Sequence, residues 1–215
     1  MNIERVGCTR TLRYRLCCKS GVIGAGSVSQ SVMRYNMKET VKKIDSAQRQ
    51  LDTAIELWFK EGDPISVHTL ACSAYQIIHD INSHRKGRDL LLDTLVIKDE
   101  YMSEFRRCLK ASYNFFKHAD QEPDPDGTIE FDAKLSEYFM LYAIIGLELN
   151  GIMSTTIRKV FVMHYVVHNP HVLTQKGKEF YTQNIPSEKI DDIRKLGRNE
   201  FFENIPLILG HSWTE

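Results

Sequence analysis

The strongest constraint on the fold is a repeated apolar spacing of three and four residues, interrupted by short polar breaks. From Lys38 to about Lys60, apolar side chains recur at close to heptad spacing, which is typical of an amphipathic helix. Gly62 ends this pattern, and Asp63-Pro64 supplies an N-cap and a proline at the first position of a second helix. Because the connection is short, the two helices are expected to pack as antiparallel neighbours.

The same spacing recurs further along the chain. A third helix is predicted over 99–119, a fourth is expected to be capped by Asp132, and a fifth is predicted over 154–168. Two weaker helices follow, one closed by Gly197 and one over about 199–208. Strand signals are few and short. The predicted fold class is therefore all-α, an antiparallel bundle of four to five main helices.

Charge is unevenly distributed along a chain that is formally neutral as a whole. Residues 1–35 contain six Lys or Arg and one acid, so this segment is predicted to be a basic, disordered extension. A targeting leader and a basic arm for an anionic partner are the alternatives. Residues 36–215 are predicted to form one domain, with a core bundle in 36–168 and a helical tail in 169–215. This mildly acidic body disfavours nucleic-acid binding over a broad surface, but it allows a local cationic site.

Cysteine usage and hydropathy indicate the compartment. The five cysteines have irregular spacing, which fits free thiols in a reducing cytosol better than a disulfide framework. Cys72 and Cys108 are predicted to lie on buried helix faces. No run of 18 apolar residues occurs, so no membrane span is expected and the predicted localisation is cytoplasmic. The sequence contains no Gly-rich phosphate loop or paired-cysteine metal motif, and no cofactor is predicted.

The third predicted helix carries two different stripes. Its apolar stripe follows steps of three and four residues and comprises Met102, Phe105, Leu109, Ser112 and Phe116. Its polar stripe comprises Ser103, Arg107, Lys110, Asn114 and Lys117. His118 follows Asn114 by one turn on the same face, before acidic and proline residues stop the helix. The helix is therefore expected to bury one side and to present cations and an amide on the other.

The segment YNFFKHAD, residues 113–120, on a helix of a predicted bundle resembles the HEPN superfamily. These proteins are small helical bundles of prokaryotic toxins, defence systems and nucleotidyltransferase partners. Active HEPN ribonucleases carry an arginine, a polar residue, a few further positions and a histidine. Asn114 and His118 match the last two with the shortest spacing, whereas Tyr113 stands at the arginine position. The resemblance covers mainly residues 37–150 and implies a homodimer in which the motifs of two protomers meet.

The resemblance assigns roles to the polar face. Metal-independent RNA cleavage needs a general base, a general acid and a cation for the phosphorane charge. The candidate catalytic residues are His118, Asn114 and Tyr113, but tyrosine cannot supply a cationic fork. The candidate binding residues are Arg106, Arg107, Lys110, Lys117 and Asp120, the acid being expected to orient the imidazole. Two functions remain open. The first is a stress or defence protein that either binds RNA or is a degenerate ribonuclease. The second is a non-catalytic module that binds a protein or a small anion through the 106–118 face.

Two further clusters partly match the ligand patterns of metal sites. The loop 120–127 imitates the start of a calcium loop, but Ala133 stands where the bidentate glutamate belongs. His164 and His168 lie one turn apart, as in zinc sites, and His171 follows, but no fourth ligand is near. The three histidines are therefore predicted to lie on a polar surface near a helix end, and no metal site is predicted.

The second helix contains two more histidines. His68 adjoins Val67 and is expected to pack against a neighbouring helix, near the Trp58–Phe59 end of the first helix. His79 lies off the apolar stripe and is expected to be solvated. Neither residue is assigned a chemical role.

Overall fold

Helices are the only regular secondary structure among the described residues. The computed structural model describes residues 38–90, 99–118, 124, 126–172, 175, 179 and 187–209. The chain divides into two units, Met1–Glu39 and Thr40–Glu215, and all the helices below belong to the second. They are α1 Lys43–Phe59, α2 Pro64–His84, α3 Asp99–Lys117, α4 Leu135–Leu149, α5 Thr156–His168, α6 Ser187–Lys195 and α7 Arg198–Leu209, with a 3₁₀ turn at Pro170–Val172. This confirms the predicted all-α helical bundle. The predicted extension, residues 1–35, lies outside the described residues.

The α1–α2 hairpin forms where the turn residues predict it. The backbone N–H of Gly62 donates to the Leu57 carbonyl at 2.8 Å, which closes the end of α1. The Asp63 carboxylate accepts a hydrogen bond from the Ser66 N–H at 2.7 Å, and Pro64 is the first residue of α2. The two helices share the most extensive helix–helix contact in the described bundle. The hairpin therefore supplies the frame on which the other helices pack.

Helix α4 packs closely on α2 because Gly146 has no side chain. A Cβ atom at Gly146 would lie 2.5 Å from Ile78 Cγ2 and 3.1 Å from Leu90 Cδ1. The prediction that Asp132 caps this helix was wrong, because α4 begins at Leu135 and its N-cap residue is Lys134. The Asp132 carboxylate instead accepts a hydrogen bond from the Lys134 N–H at 2.9 Å, in the turn before the helix. The buried core around this contact comprises Ala71, Ala74, Tyr75, Met140, Ala143, Ile144 and Leu147.

Helix α5 is tied to α1 by a buried ion pair. The Arg158 side chain is 1% exposed, and its Nε donates to Asp52 Oδ1 at 2.6 Å while Nη2 donates to Asp52 Oδ2 at 3.0 Å. Both terminal nitrogens also approach Gln48 Oε1 at 3.4 Å. The cost of burying this guanidinium is offset because the Asp52 carboxylate accepts hydrogen bonds from two of its nitrogen atoms.

Helix α3 has the predicted two-sided character. Leu109 and Ser112 are buried and Phe116 is half-buried, whereas the side chains of Met102 and Phe105 lie outside the described residues. Cys108 corrects a prediction, because it is exposed while Cys72 is buried. Position 108 is one residue before the buried Leu109 and is therefore rotated by about 100° around the helix, toward solvent.

Candidate functional site

A groove of about 610 Å³ runs along the exposed side of α3. We call it the α3 groove, and its lining residues are Ser103, Arg106, Arg107, Lys110, Ala111, Asn114, Phe115, Asp124, Gly127, Thr128 and Ile129. Three of the predicted binding residues and one predicted catalytic residue are thus brought together. Their sequence spacing explains why, since positions 103, 107, 110 and 114 project from one face of a helix.

Positive charge dominates the described lining of the α3 groove. Arg106, Arg107 and Lys110 line it, and Asp124 is the one carboxylate among the lining residues that the structure describes. Arg107 Nη2 donates to Glu104 Oε1 at 2.8 Å, but both side chains are highly exposed, at 73% and 68%. Such a surface pair is worth less than about 1 kcal/mol, so an incoming anion can replace the glutamate.

The opposite wall of the groove is a tight turn held by Asp124. The Gly127 N–H donates to the Asp124 carbonyl at 3.1 Å, and the Asp126 N–H donates to Asp124 Oδ1 at 3.0 Å. A Cβ atom at Gly127 would lie 4.0 Å from Phe115 Cε2, so the turn meets α3 near this aromatic ring. Phe115 is half-buried and adds an apolar edge to a polar groove.

Tyr113 contacts both Lys117 and α2, and neither Tyr113 nor Lys117 is among the described lining residues of the groove. Lys117 Nζ donates to the Tyr113 hydroxyl at 2.9 Å and lies 5.0 Å from the centre of its ring. The Tyr113 hydroxyl is also 3.3 Å from Ser73 Oγ. The residue at the arginine position of the motif is therefore directed toward α2, while Asn114 faces the groove.

His118 is the first residue after α3. Its N–H donates to the Asn114 carbonyl at 2.9 Å, and its side chain is half-buried. The described lining of the α3 groove includes Asn114 but not His118. Asp120, the acid expected to orient the imidazole, lies outside the described residues.

His68 is at the centre of a buried polar cluster that the sequence did not single out. The residue has 0% exposure. Its Nδ1 is 3.1 Å from Ser136 Oγ, and its Nε2 is 3.0 Å from Ser112 Oγ and 3.4 Å from Cys72 Sγ. One nitrogen of a neutral imidazole donates and the other accepts, so the ring joins α2 to α3 and α4. A serine within the apolar stripe of α3 was the one sequence signal of this buried partner.

The surroundings of His68 make it a structural group rather than a base. Burial lowers the pKa of His68 to about 4, so the ring is neutral near pH 7. Its aromatic contacts are with Phe116, Phe131 and Phe139, not with the Trp58–Phe59 end of α1 as the sequence suggested. Packing against neighbouring helices was the correct expectation, but the position along α1 was wrong.

The α1 end is instead occupied by His164. This residue is 8% exposed, and its ring centre lies 5.0 Å from that of Trp58 and 4.9 Å from that of Phe201. Burial lowers the pKa of His164 to about 3. The prediction that His164 lies on a polar surface was therefore wrong, because α7 covers this face. The other two histidines of the cluster, His168 and His171, are exposed. Among the described residues, no three His, Cys, Asp or Glu side chains are arranged to hold a metal ion.

The solvation of His79 was also mispredicted. Its side chain is only 15% exposed, and its Nδ1 lies 3.3 Å from Asp80 Oδ1. The ring packs beside Tyr75 on α2 at 5.8 Å between centres. A neighbouring aromatic residue one turn away thus covers a position that lies off the main apolar stripe.

Comparisons with known proteins leave the family open. No protein-family model, curated protein or solved structure matches the chain. No helix among the described residues combines the length and apolarity that crossing a bilayer requires. Function is therefore inferred from the residues of this chain.

Proposed function

We propose that the chain is a HEPN-like helical protein that binds RNA through the α3 groove, as a binder rather than a nuclease. The observation that carries this proposal is the convergence of Arg106, Arg107, Lys110 and Asn114 on one groove, where Asp124 is the one carboxylate among the described lining residues. Guanidinium and ammonium groups are the usual partners of RNA phosphates, and an amide can hydrogen-bond a base edge or a 2′-hydroxyl.

The groove has dimensions that fit a strand rather than one phosphate. Arg106 and Asn114 are eight positions apart, which corresponds to about 12 Å along the helix. Phe115 lies at the groove edge and is half-buried, so its exposed part can stack on an unpaired base. Single-stranded RNA offers both the phosphates and the unstacked bases that such a surface recognises.

Support for binding rather than cleavage comes from Tyr113. A tyrosine cannot provide the positive charge that stabilises a phosphorane. The Tyr113 hydroxyl lies within hydrogen-bonding distance of Lys117 Nζ and Ser73 Oγ. The hydrogen bond to Lys117 directs the Lys117 ammonium toward the Tyr113 ring. Cleavage would therefore need a cation from another source.

The resemblance adds a dimer to the proposal, and the cysteine usage and hydropathy add a compartment. We infer a cytoplasmic homodimer in which the two His118 side chains lie near each other. Light scattering coupled to size exclusion tests the dimer, and a mass of one chain at micromolar concentration would contradict it. RNA binding by a monomer would then still stand on the groove alone.

The binding proposal is tested by RNA affinity. Arg106→Ala/Lys110→Ala should weaken binding of a fluorescent single-stranded RNA by about tenfold or more and lower the steepness of its salt dependence, because each neutralised phosphate contributes a slope of about 0.7. The matched control is Lys60→Ala/Lys195→Ala, which removes two exposed cations outside the groove. Equal affinity of the two double variants would contradict the proposal.

A small-anion or protein-binding module is the second candidate. It is favoured by the carboxylate of Asp124 in the lining and by the Arg107–Glu104 pair, which both limit the positive potential. Affinity that is independent of RNA length and is abolished by millimolar inorganic phosphate would favour the small anion. Affinity that rises with RNA length would favour the strand.

A further inference from the structure

A second cavity lies where the end of α1 meets the starts of α2, α4 and α7. Its volume is about 380 Å³, within the range of about 300–1,000 Å³ that is typical of small-molecule sites. We call it the α7 cavity, and its lining residues are Trp58, Glu61, Gly62, Pro64, Val67, Ala133, Lys134, Ser136, Glu137 and Arg198. None of these residues lines the α3 groove, so the two sites are independent.

Among its described lining residues, the α7 cavity has two basic and two acidic side chains. Lys134 and Arg198 supply the positive charges, and Glu61 and Glu137 supply the carboxyl groups. The Arg198 guanidinium lies 4.9 Å from the centre of the Trp58 ring, and its Nε is 3.9 Å from Glu61 Oε1. At that distance Glu61 holds Arg198 only loosely, while the guanidinium lies within cation–π distance of the indole.

Two polar side chains of the cavity wall, Glu137 and Ser136, are hydrogen-bonded to other residues of the protein. Glu137 is hydrogen-bonded to Trp58, and burial raises the pKa of its carboxyl group against the opposing effect of Arg198 and Lys134. The Ser136 hydroxyl lies 3.1 Å from Nδ1 of the buried His68. These contacts pre-position a carboxyl and a hydroxyl group on the α4 wall, which lowers the cost of ordering them around a ligand.

We propose that the α7 cavity binds a small zwitterion, a free α-amino acid. A ligand carboxylate meets Arg198 and Lys134, and a ligand ammonium meets Glu61 and Glu137. A simple anion would also face two carboxyl groups, and a simple cation would also face two cations, so a ligand with both charges complements the described lining best. Pro64 and Val67 add apolar surface for an aliphatic side chain.

The experiment uses Trp58 as the reporter. In the full chain carrying Trp213→Phe, Trp58 is the remaining tryptophan. Each common α-amino acid is titrated singly, with isothermal calorimetry as the second readout. At least one amino acid should give a saturable change in Trp58 emission, and the matched carboxylic acid without the amine should bind about tenfold more weakly or worse, since it lacks one ion pair.

Variants locate the site. Arg198→Gln should weaken binding by about tenfold or more, and Lys134→Gln, at an exposed residue, provides a second variant if the first unfolds. Lys195→Gln, which removes an exposed cation outside the cavity, should bind like the parent chain. The proposal is overturned if no amino acid binds by either readout, if the amine-free acid binds equally well, or if both cavity variants bind like Lys195→Gln.

Discussion

We predict that removing Asp52 destabilises the protein more than removing Arg158, its partner in the buried ion pair. Arg158 is 1% exposed and Asp52 is 33% exposed, so the charge that remains after one partner is removed is hydrated to a different extent in the two variants. Asp52→Ala strands a guanidinium inside the bundle, where water cannot reach it. Arg158→Met leaves a carboxylate that water can reach and fills most of the vacated volume.

The expected magnitudes follow from this difference in exposure. Asp52→Ala should lower the free energy of unfolding by about 3–5 kcal/mol, the usual effect of stranding a buried charge. Arg158→Met should lower it by about 1–2 kcal/mol, because the remaining carboxylate is rehydrated. The double variant should resemble Arg158→Met, since removing the guanidinium also removes the stranded charge that destabilises Asp52→Ala.

Urea unfolding followed by circular dichroism measures all three variants. The loss for Asp52→Ala corresponds to a melting temperature lower by about 6–20 °C. Glu56→Ala is the matched control on the same helix, because the Glu56–Lys60 pair is half-exposed and should matter by less than about 1 kcal/mol. If Arg158→Met were as destabilising as Asp52→Ala, or if the double variant were the sum of the two, the reasoning from exposure would be refuted.

Three further predictions concern packing, pH and the motif. Gly146→Ala should destabilise the protein by about 1–3 kcal/mol in urea unfolding, because its methyl group would lie 2.5 Å from Ile78; an unchanged midpoint would mean that α4 can move away from α2. Burial lowers the pKa of His68 to about 4 and of His164 to about 3, below the unfolded value of about 6.5. The unfolded chain therefore binds more protons in that window, so stability is full above about pH 6.5 and is lost as the pH falls, on the order of 2 kcal/mol per histidine. Urea midpoints between about pH 7 and 4.5 check this, and a flat profile would rule it out. Tyr113→Arg should create or raise RNA cleavage if the HEPN resemblance is correct, whereas a folded dimer without gel-detectable cleavage would count against the motif.

Local chemistry was sufficient to predict the helices and the polar face of α3. The hydrogen bond by which Asp63 caps α2 joins residues that are close in the chain. The start of α2 could therefore be predicted without knowledge of the rest of the fold. The same holds for the shared face of Arg107, Lys110 and Asn114, which helical geometry alone dictates. The fold class and the common face of these three residues depend on nothing more than this periodicity.

Packing between distant segments decided what periodicity could not. Arg158 is paired with a carboxylate 106 positions away, and His68 is hydrogen-bonded to serines 44 and 68 positions away. Periodicity tells which side of a helix is buried, but not which polar side chain of another helix will meet it. The burial of His164, the direction of Tyr113 and the α7 cavity all arise from how the helices are arranged, which the spacing of residues along one helix does not specify.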